Sequence, residues 1–154
     1  MWLDVGRDIV INAPRQRVWD YISDFRRHTE WSYPEHHLQI EPPREVRVGA
    51  TFTSSGKELG HVWHNTVTIT ELVPGERLEF VSEHDGTAWR NVFALTDARN
   101  GTRLTKREEY VSARFPMRLL VMLLSPLLTR DAGRIHDSDL ARIKTRLERS
   151  AEPA

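Results

Sequence analysis

The clearest indication of the fold comes from residues 61–110, HVWHNTVTIT ELVPGERLEF VSEHDGTAWR NVFALTDARN GTRLTKREEY. Three turn signals divide this stretch: Pro74-Gly75, Asp85-Gly86 and Asn100-Gly101. Pro followed by Gly suits the two central positions of a type II turn, and Asp-Gly and Asn-Gly favour hairpin turns of the primed type. Strands joined by such short turns pair in chain order, so the stretch predicts an antiparallel meander.

Apolar and polar residues alternate along these strands, and their registers agree from one strand to the next. Because side chains on a strand alternate between two faces, one face of the sheet is predicted to be dry and the other wet. The dry face carries Trp63, Val67, Ile69, Leu78, Phe80, Trp89, Phe93, Leu95, Leu104 and Tyr110. The opposite face carries Thr66, Thr68, Thr70, Glu79, Arg90, Arg103, Thr105 and Arg107.

The segment before the meander predicts a first strand and two short helices. Residues 5–12 are rich in β-branched residues and predict a strand, and Pro14 suits the first position of a helix. A second helical turn is predicted over residues 26–30. Further strands are predicted around residues 38–40, 50–53 and 62–72, and Gly56 is expected to separate the last two.

The segment after Arg114 is predicted to be helical. Apolar residues recur at helical spacing up to Leu147 and predict a final helix from about residue 127 or 131 to residue 149. Pro126 is expected to break any helix before it. A curved sheet must cover its dry face, and this helix is the element long enough to do so. Side chains that do not fill the space between sheet and helix would leave a cavity for a ligand.

Several short motifs resemble the START-like (SRPBCC) superfamily, in its polyketide cyclase/dehydrase branch. They span nearly the whole chain: residues 11–14, 18–20, Asp24, Trp31, 48–49, 74–78, 101–105 and 140–148. The resemblance implies an α+β helix-grip fold, in which a curved seven-stranded antiparallel sheet wraps around a long C-terminal helix and encloses an apolar cavity. The superfamily includes lipid carriers, hormone receptors, aromatase/cyclases and hydrolase-activating cochaperones, so its motifs indicate fold rather than reaction.

Length and composition define the class of protein. The 154 residues make about one domain, expected over 1–150 with a tail at 151–154. Lys+Arg and Asp+Glu are both 22, so the basic excess of nucleic-acid-binding proteins is missing. The cysteine count is zero, which excludes disulfides and thiol catalysis. No secretory segment opens the chain, and residues 117–128 are too few to cross a bilayer, so a cytoplasmic protein without stable membrane insertion is expected.

Two asparagines on the predicted dry face are candidate ligand contacts. Asn65 and Asn91 each lie two residues beyond a tryptophan, Trp63 and Trp89, on the same face. Their amides are suited to a hydroxyl or carbonyl of a ligand held between the indole rings. The alternative is that the two amides bond each other or a buried water. The predicted ligand-binding residues are Trp63, Asn65, Phe80, Trp89, Asn91 and Phe93.

Glu108 and Tyr110 are the candidate proton-transfer groups. Glu108 continues the inward register with Lys106, and a desolvated carboxyl with a raised pKa serves as a general acid or base. Because a buried ion pair is costly, Lys106 is expected to lie outward through a bulge or at the wet mouth of the cavity, and the same position is the alternative for Glu108.

No metal or other cofactor is expected. His61 and His64 point to opposite faces of a strand, His36 and His37 are adjacent, and His84 is explained as a turn residue. Motifs for a nucleophilic serine or a phosphate-binding glycine loop are missing from the sequence.

These observations leave three functions open. The favoured one is the binding or carriage of a hydrophobic, lipid- or polyketide-like molecule. The second is an aromatase/cyclase or dehydratase reaction on such a ligand, and the third is a protein-interaction module. The apolar run at 117–128, flanked by arginines, is interpreted as a lid, as a contact in a homodimer, or as a membrane contact.

Overall fold

A computed structural model describes residues 3–150, so the predicted tail at 151–154 lies outside the described residues. Seven strands form one antiparallel sheet: β1 (Asp4–Ile11), β2 (Gln39–Glu41), β3 (Thr51–Glu58), β4 (His61–Val73), β5 (Arg77–His84), β6 (Thr87–Ala98) and β7 (Gly101–Ser112). Their order across the sheet is β1-β7-β6-β5-β4-β3-β2. The helices are α1 (Arg15–Ser23), α2 (His28–Trp31) and α3 (Met117–Arg149), with short 3₁₀ turns at Phe25–Arg27 and Pro34–His36. The helix-grip fold is thereby confirmed.

The predicted faces of the meander strands are confirmed, and the pairing shifts at two β-bulges, between Ile69 and Glu71 and between Ala88 and Trp89. Val67 and Ile69 are buried on the concave face, whereas Thr66 and Thr70 on the same strand are exposed. Pro74-Gly75 forms the predicted turn, closed by a 3.0 Å bond from the Glu76 N–H to the Val73 carbonyl. Asp85 and Gly86 both have positive φ, as a primed hairpin turn requires.

Two glycines have roles that differ from the predicted ones. Gly56 lies inside β3 opposite Trp63, and the β3–β4 turn falls at Leu59-Gly60. Gly101 is the first residue of β7, where a Cβ would lie 2.0 Å from the carbonyl oxygen of Ile11. Both positions need glycine because other atoms come close to the backbone.

The final helix is longer than predicted, since α3 begins at Met117 and continues through Pro126. A proline inside a helix removes one backbone hydrogen bond, and the leucines on both sides favour the helical state. Pro14 likewise lies one position earlier than predicted, at the N-cap of α1.

The two halves of α3 have different surroundings. Leu140, Ile143 and Leu147 are buried in the main core, whereas most large apolar residues between 117 and 127 are exposed. Between residues 3 and 150 no helix is long and apolar enough to cross a membrane.

Candidate ligand-binding cavity

A cavity of about 740 Å³ lies between the concave face of the sheet and α3. Its volume falls in the usual range for sites that bind small molecules. Strands β3 to β7 form its wall, and Leu128, Ile135, His136 and Asp139 of α3 cover it. Leu59, His61 and Asp85 surround its exposed end, and His28, Trp31 and Lys106 surround its buried end.

All six residues predicted to bind a ligand line this cavity: Trp63, Asn65, Phe80, Trp89, Asn91 and Phe93. Strand register brings them together, because residues paired across an antiparallel sheet share a face. Phe80 pairs with Asn91, and Asn91 pairs in turn with Glu108. Trp89 pairs with Tyr110 on the same side.

Trp63 owes its position to the glycine opposite it. A Cβ on Gly56 would lie 2.2 Å from Cζ2 of Trp63, so the indole ring occupies the space that any other side chain would need. A glycine inside a strand often marks such a close approach.

The buried end of the cavity has an aromatic wall. Ring centroids of Phe25 and Phe80 lie 5.3 Å apart, those of Phe80 and Phe93 lie 6.3 Å apart, and those of Trp31 and Phe93 lie 5.7 Å apart. At these spacings aromatic pairs attract each other beyond their buried area. The wall is therefore rigid and apolar.

Asn65 and Asn91 are both buried, and no hydrogen bond joins them within residues 3–150. Oδ1 of Asn65 is buried without a hydrogen-bond partner in that same range. Because buried polar atoms normally have partners, this unpartnered oxygen is unusual among the residues that line the cavity.

Lys106 lies inside the molecule, contrary to the expectation of an outward or mouth position. Its ammonium group forms an ion pair with Oδ2 of Asp139 on α3, and the two side chains are 9% and 4% exposed. Nζ also lies 5.5 Å from the centre of the Trp31 ring. No bulge interrupts β7 between Thr105 and Tyr110, so the strand keeps its inward register.

Glu108 also faces the cavity, where its Oε2 lies 3.4 Å from Nε2 of His136. Burial alone would raise the pKa of Glu108. The hydrogen bond and positive charge of His136, together with the charge of Lys106, outweigh burial, so the pKa of Glu108 lies below its usual value. The expected raised pKa is therefore wrong, because α3 supplies a partner that the strand pattern does not contain. An ionised carboxylate can only accept, so Nε2 of His136 donates in this contact.

Tyr110 lines the cavity 6.3 Å from Trp89, measured between ring centroids. Burial, with the negative charges of Glu108 and Glu58, raises the pKa of its hydroxyl. At neutral pH Tyr110 is therefore a protonated hydrogen-bond donor.

The cavity residues that were not assigned to the site from the sequence include His28, Trp31, His136 and Asp139. Nε2 of His28 lies 2.8 Å from the Ile22 carbonyl, and burial lowers the pKa of its ring to about 4. A signal for the α3 pair was present, since His136 and Asp139 lie on the same helical stripe as the buried Leu140 and Ile143. Polar residues in an apolar stripe are candidates for a site.

Three more buried polar atoms of residues that line the cavity have no hydrogen-bond partner between residues 3 and 150. They are Nε1 of Trp31, Nδ1 of His136 and Oδ1 of Asp139. In the same described range, no cluster of three histidines or carboxylates is arranged to hold a metal ion.

Comparison with known proteins identifies the family of the chain. The model of the family described as "Activator of Hsp90 ATPase homolog 1-like protein" matches residues 12–118. This family is part of the START-like superfamily that the sequence motifs indicated. The sequence matches no curated protein.

Solved structures with the same fold span nearly the whole chain. TTHA0849 from Thermus thermophilus is 20% identical with a TM-score of 0.74, covering 97% of this chain and 99% of its own. CV1439 from Chromobacterium violaceum is 17% identical with a TM-score of 0.73, covering 95% of this chain and 97% of its own. The di-domain ARO/CYC StfQ from the steffimycin biosynthetic pathway is 16% identical with a TM-score of 0.76, covering 97% of this chain and 51% of its own. At these identities the similarity concerns the fold.

Proposed function

We propose that this chain, which belongs to the Activator of Hsp90 ATPase homolog 1-like protein family, binds a hydrophobic small molecule in its cavity. The observation that carries the proposal is the cavity of about 740 Å³, which combines an aromatic wall with buried polar atoms that lack partners. Apolar walls with a few placed polar groups are the usual composition of small-molecule sites.

The polar atoms favour one class of ligand. A hydroxyl group both donates and accepts, so it can donate to Oδ1 of Asp139 and accept from Nε1 of Trp31. The nearby formal charges of Lys106 and Asp139 cancel each other within their ion pair, which favours a neutral polar group. We therefore propose a ligand with a flat apolar body and a hydroxyl or carbonyl at its buried end, as in polyketide-like aromatic compounds.

Native mass spectrometry of the freshly purified chain tests this proposal. We expect an added mass of a few hundred daltons that is lost when the protein is denatured. Ser82 lines the cavity and is buried, so Ser82→Phe should fill the space and remove the added mass. The matched control is Glu83→Phe, at the next position on the exposed face of β5. An added mass that survives in Ser82→Phe would contradict binding in the cavity.

The His136–Glu108 pair favours a second candidate function, acid–base catalysis on a polyketide-like ligand. Glu108 fixes the ring of His136 and leaves its Nδ1 to accept a proton from the ligand. Glu108, Tyr110 and His136 are the residues proposed for this chemistry. The ARO/CYC protein StfQ shares the fold, and that similarity supports testing such a reaction.

Glu108→Gln separates the two candidates, with a synthetic β-polyketone as the probe. For a protein that only binds, wild type should not turn the probe over and the variant should bind it within a few-fold. For an enzyme, turnover should fall by roughly 10²–10⁴ while binding is retained. Glu109→Gln is the matched control, because Glu109 points to the opposite face and pairs with Arg90.

A further inference from the structure

The first turns of α3 form an exposed apolar surface, which we call the apolar arm (residues 117–127). Leu123 and Leu127 are 71% and 65% exposed, and Val121 is the buried large residue of the arm. A contiguous apolar surface of this kind marks an interaction site, unlike single exposed leucines. Its exposed members are Met117, Leu119, Leu120, Met122, Leu123, Leu124 and Leu127.

The exposed residues extend around the helix rather than forming a stripe. At about 100° per residue, Met122, Leu119, Leu123, Leu127, Leu120 and Leu124 cover an arc of about 200°. A second helix packed against the arm would cover only a narrow stripe of about 100°. A surface that surrounds half of the helix suits immersion in the boundary layer of a membrane.

The charges around the arm have one sign. Between Arg114 and Arg130 the sequence contains no Asp or Glu, and Arg118 lies within the arm. Residues 114–134 contain four arginines and one acidic residue, Asp131. In a symmetric contact between two copies of the chain, this basic face would lie against the same basic face of the partner, and the like charges would repel each other. Anionic lipid headgroups are the complementary partner.

The arm also borders the cavity. Met117 begins the arm and Leu128 follows it directly, and both line the cavity while Leu123 and Leu127 face outward. The eleven residues span about 17 Å as a helix, which is shorter than the hydrocarbon core of a bilayer, so the arm would lie along the surface.

We propose that the apolar arm docks the protein on an anionic membrane surface, with the cavity beside the lipid. This interaction goes beyond the proposed function, since it requires no bound ligand. It also differs from insertion, because the helix lies in the headgroup region and does not cross the bilayer.

Flotation of the full chain with lipid vesicles tests the proposal. We expect binding to vesicles of 70% phosphatidylcholine and 30% phosphatidylserine to be roughly tenfold or more tighter than binding to pure phosphatidylcholine. Raising NaCl from 0.1 to 0.5 M should weaken this binding, because salt screens the headgroup attraction. Leu123→Glu should reduce it by roughly tenfold or more, since it places a charge in the apolar contact.

Val48→Glu is the matched control, because Val48 is an exposed apolar residue in the loop before β3, outside the arm. It should bind vesicles as wild type does. Equal binding to neutral and anionic vesicles, or unchanged binding by Leu123→Glu, would overturn the proposal. A stable dimer in sedimentation equilibrium would also overturn the proposal, if Leu123→Glu dissociates the dimer and vesicles do not compete with it. A second copy of the chain would then cover the arm.

Discussion

At the scale of single residues, the ion pair between Lys106 and Asp139 links β7 to α3 inside the cavity wall. Removing one partner leaves the other as an uncompensated buried charge. We expect Lys106→Met or Asp139→Leu alone to lower the free energy of unfolding by about 3–5 kcal/mol, and the double variant to be close to wild type. Urea unfolding of the three variants measures this.

The surface pair of Arg103 and Asp8 is the control for this measurement, because both side chains are about half exposed. Breaking it should cost at most about 1 kcal/mol. If Lys106→Met costs no more than Arg103→Met, the buried pair does not contribute as the structure implies.

His28 makes stability depend on pH. Burial lowers the pKa of its ring from 6.5 to about 4 in the folded protein, so between these values the unfolded chain binds a proton that the folded chain does not. This contribution is fully present above pH 6.5 and is lost as pH falls towards 4. We expect the free energy of unfolding to drop by about 2 kcal/mol from pH 7 to pH 5 on this account.

His28→Gln should remove that part of the drop, since glutamine does not titrate and can still donate to the Ile22 carbonyl. His61→Gln, at an exposed position on β4, serves as the control and should follow the wild-type curve. A His28→Gln curve that parallels wild type from pH 7 to pH 5 would contradict the assignment.

The strand pattern alone could predict the inward direction of Lys106 and Glu108, because parity along β7 fixes the face of each side chain. It could not predict their partners. Asp139 and His136 lie on α3, about thirty residues further along the chain, and the rotation of that helix over the sheet is set by packing. The pKa of Glu108 is held low by the very contacts that the strand pattern omits.

At the scale of elements, α3 combines a core helix and an exposed arm. We expect Leu140→Ala to lower the free energy of unfolding by about 2–5 kcal/mol, because Leu140 is fully buried in the core. Leu123→Ala should change it by at most about 0.5 kcal/mol, since that side chain is exposed. Thermal or urea unfolding compares the two, and a similar loss for both would mean that the arm is packed against something.

The start of α3 illustrates what local signals miss. Pro126 predicts a helix boundary because proline has no backbone N–H to donate. The helix nevertheless continues through Pro126, since the packing of its later residues in the core outweighs one lost backbone hydrogen bond. The hairpins were predicted correctly at Pro74-Gly75 and Asp85-Gly86 because those turns are fixed by local backbone geometry. Gly56 was misassigned because its role is a long-range contact with Trp63.

At the scale of the whole molecule, the sheet and α3 enclose a cavity that the core does not fill. The order of elements predicts such a cavity, and the register predicts which side chains face it, including Trp63, Asn65 and Asn91. The chemistry of its buried end depends on α2 and α3 together, so the sequence did not reveal it. The proposed function depends above all on the ability of this end to select a hydroxyl-bearing ligand.

A comparison of 2-hydroxyanthraquinone with anthraquinone tests this selectivity, because these flat three-ring molecules differ by one hydroxyl group. Quenching of tryptophan fluorescence measures both affinities in wild type, Ser82→Phe and Glu83→Phe. We predict that wild type and Glu83→Phe bind the hydroxylated compound roughly tenfold more tightly, as expected when one buried hydrogen bond is gained, and that Ser82→Phe loses both. Equal affinity for the two compounds in wild type, or undiminished binding by Ser82→Phe, would contradict the proposed selectivity.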